Sequence, residues 1–302
     1  MLLPGGGTEF AMKKTKKYWG NYWLFVGPVF FSFLLFYFVP IILGLRYSFY
    51  DWNGISNART FIGLKNYTQL LGDKNYWDSI TFTLKYAFCY VVFTNVFALL
   101  MALWANSALK ASIWIRVCFF LPNVLSQVIC GMLWKFIFNQ AGTKLADMTG
   151  ISVFGIKLLG SSDTAWIAIV LVSLWTSIGY NMTIYLAGLV SIDKMYFESA
   201  AIDGAGRIRT FFSITLPLMM PSITITLFHT ISGAFKMFDV SVSLTGGGPG
   251  RSTTSMALDV YNTAFKENRM GYGQAKAIIL LIVVVVIALL QVRATRRKEV
   301  EM

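Results

Sequence analysis

Acidic residues are scarce in this chain of 302: 14 Asp and Glu stand against 26 Lys and Arg, for a formal net charge of +12. Charged residues of both signs make up only 13%, far below what an ordinary soluble domain carries on its surface. There is one histidine, His229, and there are three cysteines, Cys89, Cys118 and Cys130. That poverty excludes a His/Cys cluster at metal-ligand spacing. All three cysteines fall in apolar runs, which suits small buried hydrophobes better than disulfides or metal ligands.

What the chain has instead is apolar length. With 56% hydrophobic residues it reads as a polytopic membrane protein. About 20 apolar helical residues cross a hydrocarbon core, and six runs qualify, at about 22–45, 80–104, 113–138, 163–190, 217–240 and 273–291. The expected fold class is therefore all-α, a polytopic bundle of six transmembrane helices forming a single domain over 12–302. Residues 1–11 read as an expression scar before a start at Met12. Lys13, Lys14, Lys16 and Lys17 precede the first run, and Arg293, Arg296, Arg297 and Lys298 follow the last, so both termini are expected in the cytoplasm. The basic residues line membrane boundaries, which positive-inside bias explains without a nucleic-acid partner. The partner implied by composition is the lipid bilayer.

Several spans are not uniformly apolar. In the third, Asn123, Gln127, Cys130 and Trp134 recur at three- to four-residue spacing. In the fourth, Ser173, Thr176, Tyr180 and Thr183 do the same, with Trp175, Ser177 and Asn181 alongside, and the fifth offers Thr226, His229, Ser232, Gly233 and Lys236. Such groups have two readings. They hydrogen-bond helices to one another, or they line a polar cavity. The second suits Tyr180, Asn181, His229 and Lys236, which are costly against lipid, although Lys236 is close enough to the outer end to snorkel into headgroups. The substrate-pathway candidates are Asn123, Gln127, Trp134, Trp175, Ser177, Tyr180, Asn181, His229, Ser232 and Lys236. Hydroxyl-seeking groups beside aromatic faces suit a sugar.

Asp and Glu fall in loops, tails or helix ends, Asp163 and Asp239 being nearest to membrane depth. Carriers driven by protons or sodium commonly keep a carboxylate in the bundle, so the driving energy is expected from elsewhere. With neither a nucleophile–base pair nor paired carboxylates at that depth, chemistry on the substrate is not expected, and no catalytic residue, bound cofactor or metal is assigned.

The run Thr245-Gly-Gly-Gly-Pro-Gly-Arg-Ser252 invites comparison with a nucleotide phosphate loop. Thr245 replaces the first glycine and Arg251 the lysine, and a membrane helix rather than a strand precedes it, so a Gly-rich turn is the better reading.

The stretch between the fourth and fifth runs, 191–216, is distinctive: Tyr196-Phe-Glu-Ser-Ala-Ala-Ile-Asp-Gly-Ala-Gly206, followed by Ile214-Thr-Leu-Pro217. Asp193 is placed to N-cap a short helix, Glu198 to meet its positive end, and Gly204 to end it at positive φ. Pro217 is placed to start the next helix. Glu198, Ser199, Ala200, Ala201, Asp203, Gly204 and Ala205 together resemble the EAA loop of type I ABC importer permeases, with Ser199 standing where an alanine is usual. The Leu-Thr-Gly-Gly-Gly-Pro249 phrase, Tyr261-Asn-Thr-Ala-Phe265 and Met270-Gly-Tyr-Gly-Gln-Ala275 resemble the carbohydrate branch of that family.

The resemblance covers about Tyr18 to Gln291. It implies a permease subunit in a bacterial inner membrane that pairs with a second homologous permease, docks two cytoplasmic ATPases through the EAA loop, and receives a di- or oligosaccharide from an extracytoplasmic sugar-binding protein. ATP and Mg would belong to the ATPase partners. The alternative reading is an ion-coupled secondary carrier or channel for a small polar solute.

Overall fold

A computed structural model of the chain describes residues 23–107, 112–149 and 157–296. The expected scar, the basic N-terminal cluster, Lys110 and the last six residues lie outside them. Among the described residues, four helices are long and apolar enough to cross a membrane: α1 (Trp23–Tyr47), α3 (Lys74–Ser107), α7 (Ser162–Ser191) and α12 (Met270–Arg296). Two further spans are bent pairs. The first is α4 (Ser112–Val124) with α5 (Gln127–Ala141), meeting at 97°, and the second is α9 (Arg207–Leu218) with α10 (Met220–Phe235), meeting at 68°. Counting each pair as one crossing gives six.

Short elements join them. α2 (Lys65–Leu71) follows a two-stranded antiparallel hairpin, Tyr50–Asp51 against Thr60–Phe61, whose turn uses Gly54 at φ +86°. α6 (Gly142–Thr149) continues α5, α8 (Lys194–Ile202) lies between α7 and α9, and α11 (Met256–Tyr261) precedes α12.

The breaks have identifiable causes. Pro122 lies inside α4, and Ser126 takes an extended backbone (φ −58°, ψ 134°), so α5 begins afresh. The third span is thus not one straight helix over 113–138, and Asn123 and Gln127 reach their positions from two helices at nearly a right angle. In the fifth, Pro217 and Pro221 flank Met219, where the chain bends. Pro217 does not open the helix as expected, because α9 is already running from Arg207. A widened turn at Phe211–Thr215, with the Leu216 N–H donating to the Phe211 carbonyl, precedes it. α10 stops at Phe235 rather than near 240, leaving Lys236 just past its end. α3 and α12 run longer than their apolar cores, because polar residues continue the helix beyond hydrocarbon at both ends.

The bundle packs around α3 and α7. Towards α8, Ala98, Ala102 and Ala105 of α3 are fully buried beside Met182, Tyr185, Leu186 and Leu189 of α7, small residues letting the backbones approach. Gly179 does the same for α4, since a methyl there would overlap the Phe119 carbonyl. A polar knot joins three spans: Tyr185 donates to Asn95 Oδ1 (2.6 Å), and Asn95 donates to Thr230 Oγ1 (3.0 Å). At the other end, here called outer, Lys276 is 2% exposed. Its ammonium meets Asp259 (2.7 Å), Asp73 (3.1 Å) and Thr263 Oγ1 (3.0 Å), while Arg251 pairs with Asp259 and Tyr272 donates to Asp73 (2.7 Å). A buried ammonium demands such partners. α1 buries almost nothing within the chain.

Candidate functional site

Two regions stand out, one at each depth of the bundle. At the inner end, Asp193 takes an extended backbone, and its Oδ1 accepts from the Met195 N–H (2.9 Å), so it caps α8 as expected. The helix ends in a paired motif: the Gly204 N–H donates to Ala201 O (3.1 Å) and the Ala205 N–H to Ala200 O (2.9 Å), with Gly204 at φ +69°. Ala200 is buried and Phe197 packs on the inner core, so one edge of α8 is anchored. Glu198, Ser199, Ala201, Asp203 and Gly204 face outward, and Ala205 is half-buried. Glu198 is the fifth residue of the helix, and the first turn holds no acidic residue, so the expected pairing of Glu198 with the positive helix end is not made. Ile202, 87% exposed, and Met195, 60%, add apolar area to this surface. Neither was picked out by sequence, although each lies within or beside the quoted motif.

Midway along α7 lies a cavity of about 310 Å³. Asn123, Gln127, Ser177, His229 and Lys236 line it, joined by Tyr86 and Tyr90 of α3, Ser173 and Thr176 of α7, and Asp239. The Tyr90 hydroxyl donates to Ser177 Oγ (2.8 Å). Asn123 Nδ2 donates to the Thr176 carbonyl (3.3 Å), tying α4 to α7 at the cavity edge. The Ser173 hydroxyl is buried in the wall beside the Tyr86 phenol. Such a lining offers aromatic faces, hydroxyls and both signs of charge.

Set beside known proteins, residues 94–300 match the family described as the binding-protein-dependent transport system inner membrane component. A probable starch degradation products transport system permease protein, AmyD of Thermoanaerobacterium thermosulfurigenes, is 40% identical over 96% of this chain and 100% of its own length. The chain belongs to that family of inner membrane transport components. A multiple sugar-binding transport system permease, MsmF of Streptococcus mutans, is 36% identical over 95% of this chain and 99% of its own length. The fold is shared with a bacterial ABC transporter that imports the acidic polysaccharide alginate (TM-score 0.81, 22% identity, covering 95% of this chain and 98% of that one).

Within this transport component the sequence candidates separate. Asn123, Gln127, Ser177, His229 and Lys236 converge on the cavity. Tyr180 does not line it, but its ring lies 4.8 Å from that of His229. Trp134 and Trp175 pack edge to face (5.5 Å) against the core instead. Asn181 is fully buried and donates to the Ser177 carbonyl one turn back in its own helix (2.9 Å), so it lies outside the cavity lining and makes no bond to a neighbouring helix there. Ser232, half-buried, is not among the lining residues either. The helical period places residues on a face but does not say which neighbour covers that face.

Tyr86 and Tyr90 were missed because no stripe was traced along the second span. Their signal was the i, i+4 spacing of two tyrosines in a long apolar run. The Gly-rich loop makes no anion cradle: the N–H groups of Gly246, Gly247 and Gly248 all donate to carbonyls of the same segment.

Proposed function

We propose that this chain is one of two permease subunits of an ATP-driven importer that passes a di- or oligosaccharide from an extracytoplasmic binding protein to the cytoplasm. The single observation that carries the proposal is α8: a short helix, capped at both ends, tied to the bundle by Phe197 and Ala200, whose remaining surface holds Glu198, Ser199, Ala201 and exposed Ile202. A helix of this kind outside the membrane has no use for exposed apolar area unless another protein covers it. Cytoplasmic ATPase subunits that bind ATP and Mg would seat it. Closure of those subunits would move α8 and, through α7 and α9, open the cavity to one side of the membrane and then the other. In this reading both termini and α8 face the cytoplasm, and a second homologous permease completes the pathway. The sugar class is supported by relatives named for starch degradation products and multiple sugars, and by hydroxyls and tyrosines in the cavity.

The test is reconstitution of the chain with its partner permease, ATPase and binding protein in vesicles. Sugar uptake is expected to require ATP inside. Gly204→Trp, which places a bulky ring where nothing within the chain lies within 4 Å, is expected to release the ATPase while the bundle stays folded. Uptake by this chain alone, driven by an ion gradient, would overturn the proposal.

A further inference from the structure

The two bent spans treat their backbones differently. At the bend between α9 and α10, Met219 is fully buried and the hydrogen-bonded ladder runs through it: the Met219 N–H donates to the Thr215 carbonyl (3.0 Å), and the Ile223 N–H donates to the Met219 carbonyl (3.0 Å). The elbow between α4 and α5 is not closed in this way. Pro122 brings no N–H, so the Cys118 carbonyl one turn back loses its helical donor. Ser126 is exposed and extended, and its side chain does not cap α5. The Cys130 N–H donates to the Ser126 carbonyl (2.9 Å), whereas the Gln127, Val128 and Ile129 N–H groups before it have no acceptor within α5.

The elbow lies inside the hydrocarbon. α4 has 13 residues, about 20 Å of helix, and Arg116 marks its inner end, whereas the apolar core of a bilayer is about 30 Å thick. Around the elbow the surface is apolar and open: Val124 is 68% exposed and Ile129 59%, with Leu125 and Met132 exposed beside them. Asn123 and Gln127 of the same elbow line the cavity, so this open patch continues the cavity wall. An unbroken apolar helix can face lipid, as α12 does with Ile282, Val285 and Leu289, because its backbone is bonded within itself. A broken one cannot. Lipid tails offer neither donor nor acceptor to the freed groups, and cavity water reaches only the side that bears Asn123 and Gln127.

We infer that the α4–α5 elbow is the surface on which the second permease subunit sits. This rests on the importer reading above, in which two permeases share one pathway. The occupant has to span the membrane, since the elbow is reached from within the bilayer. It has to present an apolar face to Val124, Leu125, Ile129 and Met132, with hydroxyl, amide or carbonyl groups opposite Ser126 that take up the freed backbone groups. Seated there, it also closes the cavity against lipid.

The experiment places the photoreactive analogue benzoylphenylalanine at position 124 or 129, or at position 282 as a lipid-facing reference, in the complete transporter reconstituted in vesicles. Positions 124 and 129 are expected to cross-link to the second permease, and position 282 to label lipid. Lipid adducts alone at 124 and 129, in an assembly that still takes up its solute with ATP, would overturn the elbow as an interface while leaving the importer intact. Cross-links solely to another copy of this chain would overturn the partner named. As a second measure, Ile129→Trp is expected to lower co-purification of the second permease about 5-fold or more while the amount of this chain in the membrane fraction stays unchanged. Unchanged co-purification would count against the interface. If the chain transports alone on an ion gradient with no second permease bound, the importer reading falls and the interface with it.

Discussion

Gly204 is the residue at which backbone geometry matters most directly. At φ +69° a side chain carrying Cβ costs about 1–2 kcal/mol, and Asn tolerates the region better than Ala. Gly204→Ala is therefore expected to raise amide exchange at Ala205 and Gly204, and Gly204→Asn to do so less; equal exchange in both variants would contradict the paired end motif. Tyr185 offers a cleaner hydrogen-bond test. Tyr185→Phe leaves Asn95 Oδ1 short of its donor within a buried contact of three spans, and is expected to cost about 0.5–1.5 kcal/mol in thermal unfolding in detergent. Asp73 gives a pH signature. Burial alone would raise its pKa, but the Tyr272 hydroxyl and the Lys276 ammonium together hold it below the usual 3.8. A carboxylate depressed on folding contributes stability above its unfolded pKa and loses it as pH falls through the lower folded value. Stability should thus drop below about pH 3.8, and Asp73→Asn should flatten that part of the curve.

Among elements, α8 was the most legible. A capping Asp, small central residues and a Gly at the end describe a short helix from local chemistry alone, and Asp193→Ala is expected to weaken it by about 1 kcal/mol, seen as faster exchange in its first turn. The long spans were legible for the same reason, since apolar length needs no tertiary information. The two bends were not. Pro122 and Pro217 announce a disturbance, but its angle and location depend on how the following helix packs: α4 continues past Pro122 to Val124, and the turn comes at Ser126. The polar stripe of the third span therefore did not remain a stripe. Asn123 and Gln127 still reach the cavity, whereas Trp134, farther along α5, turns into the core.

For the whole molecule, the outer ion network joins α11, α12, the Gly-rich loop and the start of α3. Lys276→Met would leave Asp259 buried with only the half-exposed Arg251 to face it. Removal of one partner from a buried pair costs about 3–5 kcal/mol, so a marked fall in Tm is expected, and Lys276→Met combined with Asp259→Asn should recover part of it. An unchanged Tm in the single variant would mean that water already screens the pair. Sequence by itself determined that this chain lives in a membrane, roughly where it crosses, and that a capped helix interrupts the fourth and fifth crossings, because length, charge bias and capping are local properties. Only the tertiary structure decided which polar side chains share a cavity, that tyrosines from the second span join them, and that a lysine near the outer boundary is buried between two carboxylates. Those outcomes depend on which faces of distant segments meet, and no local period carries that information.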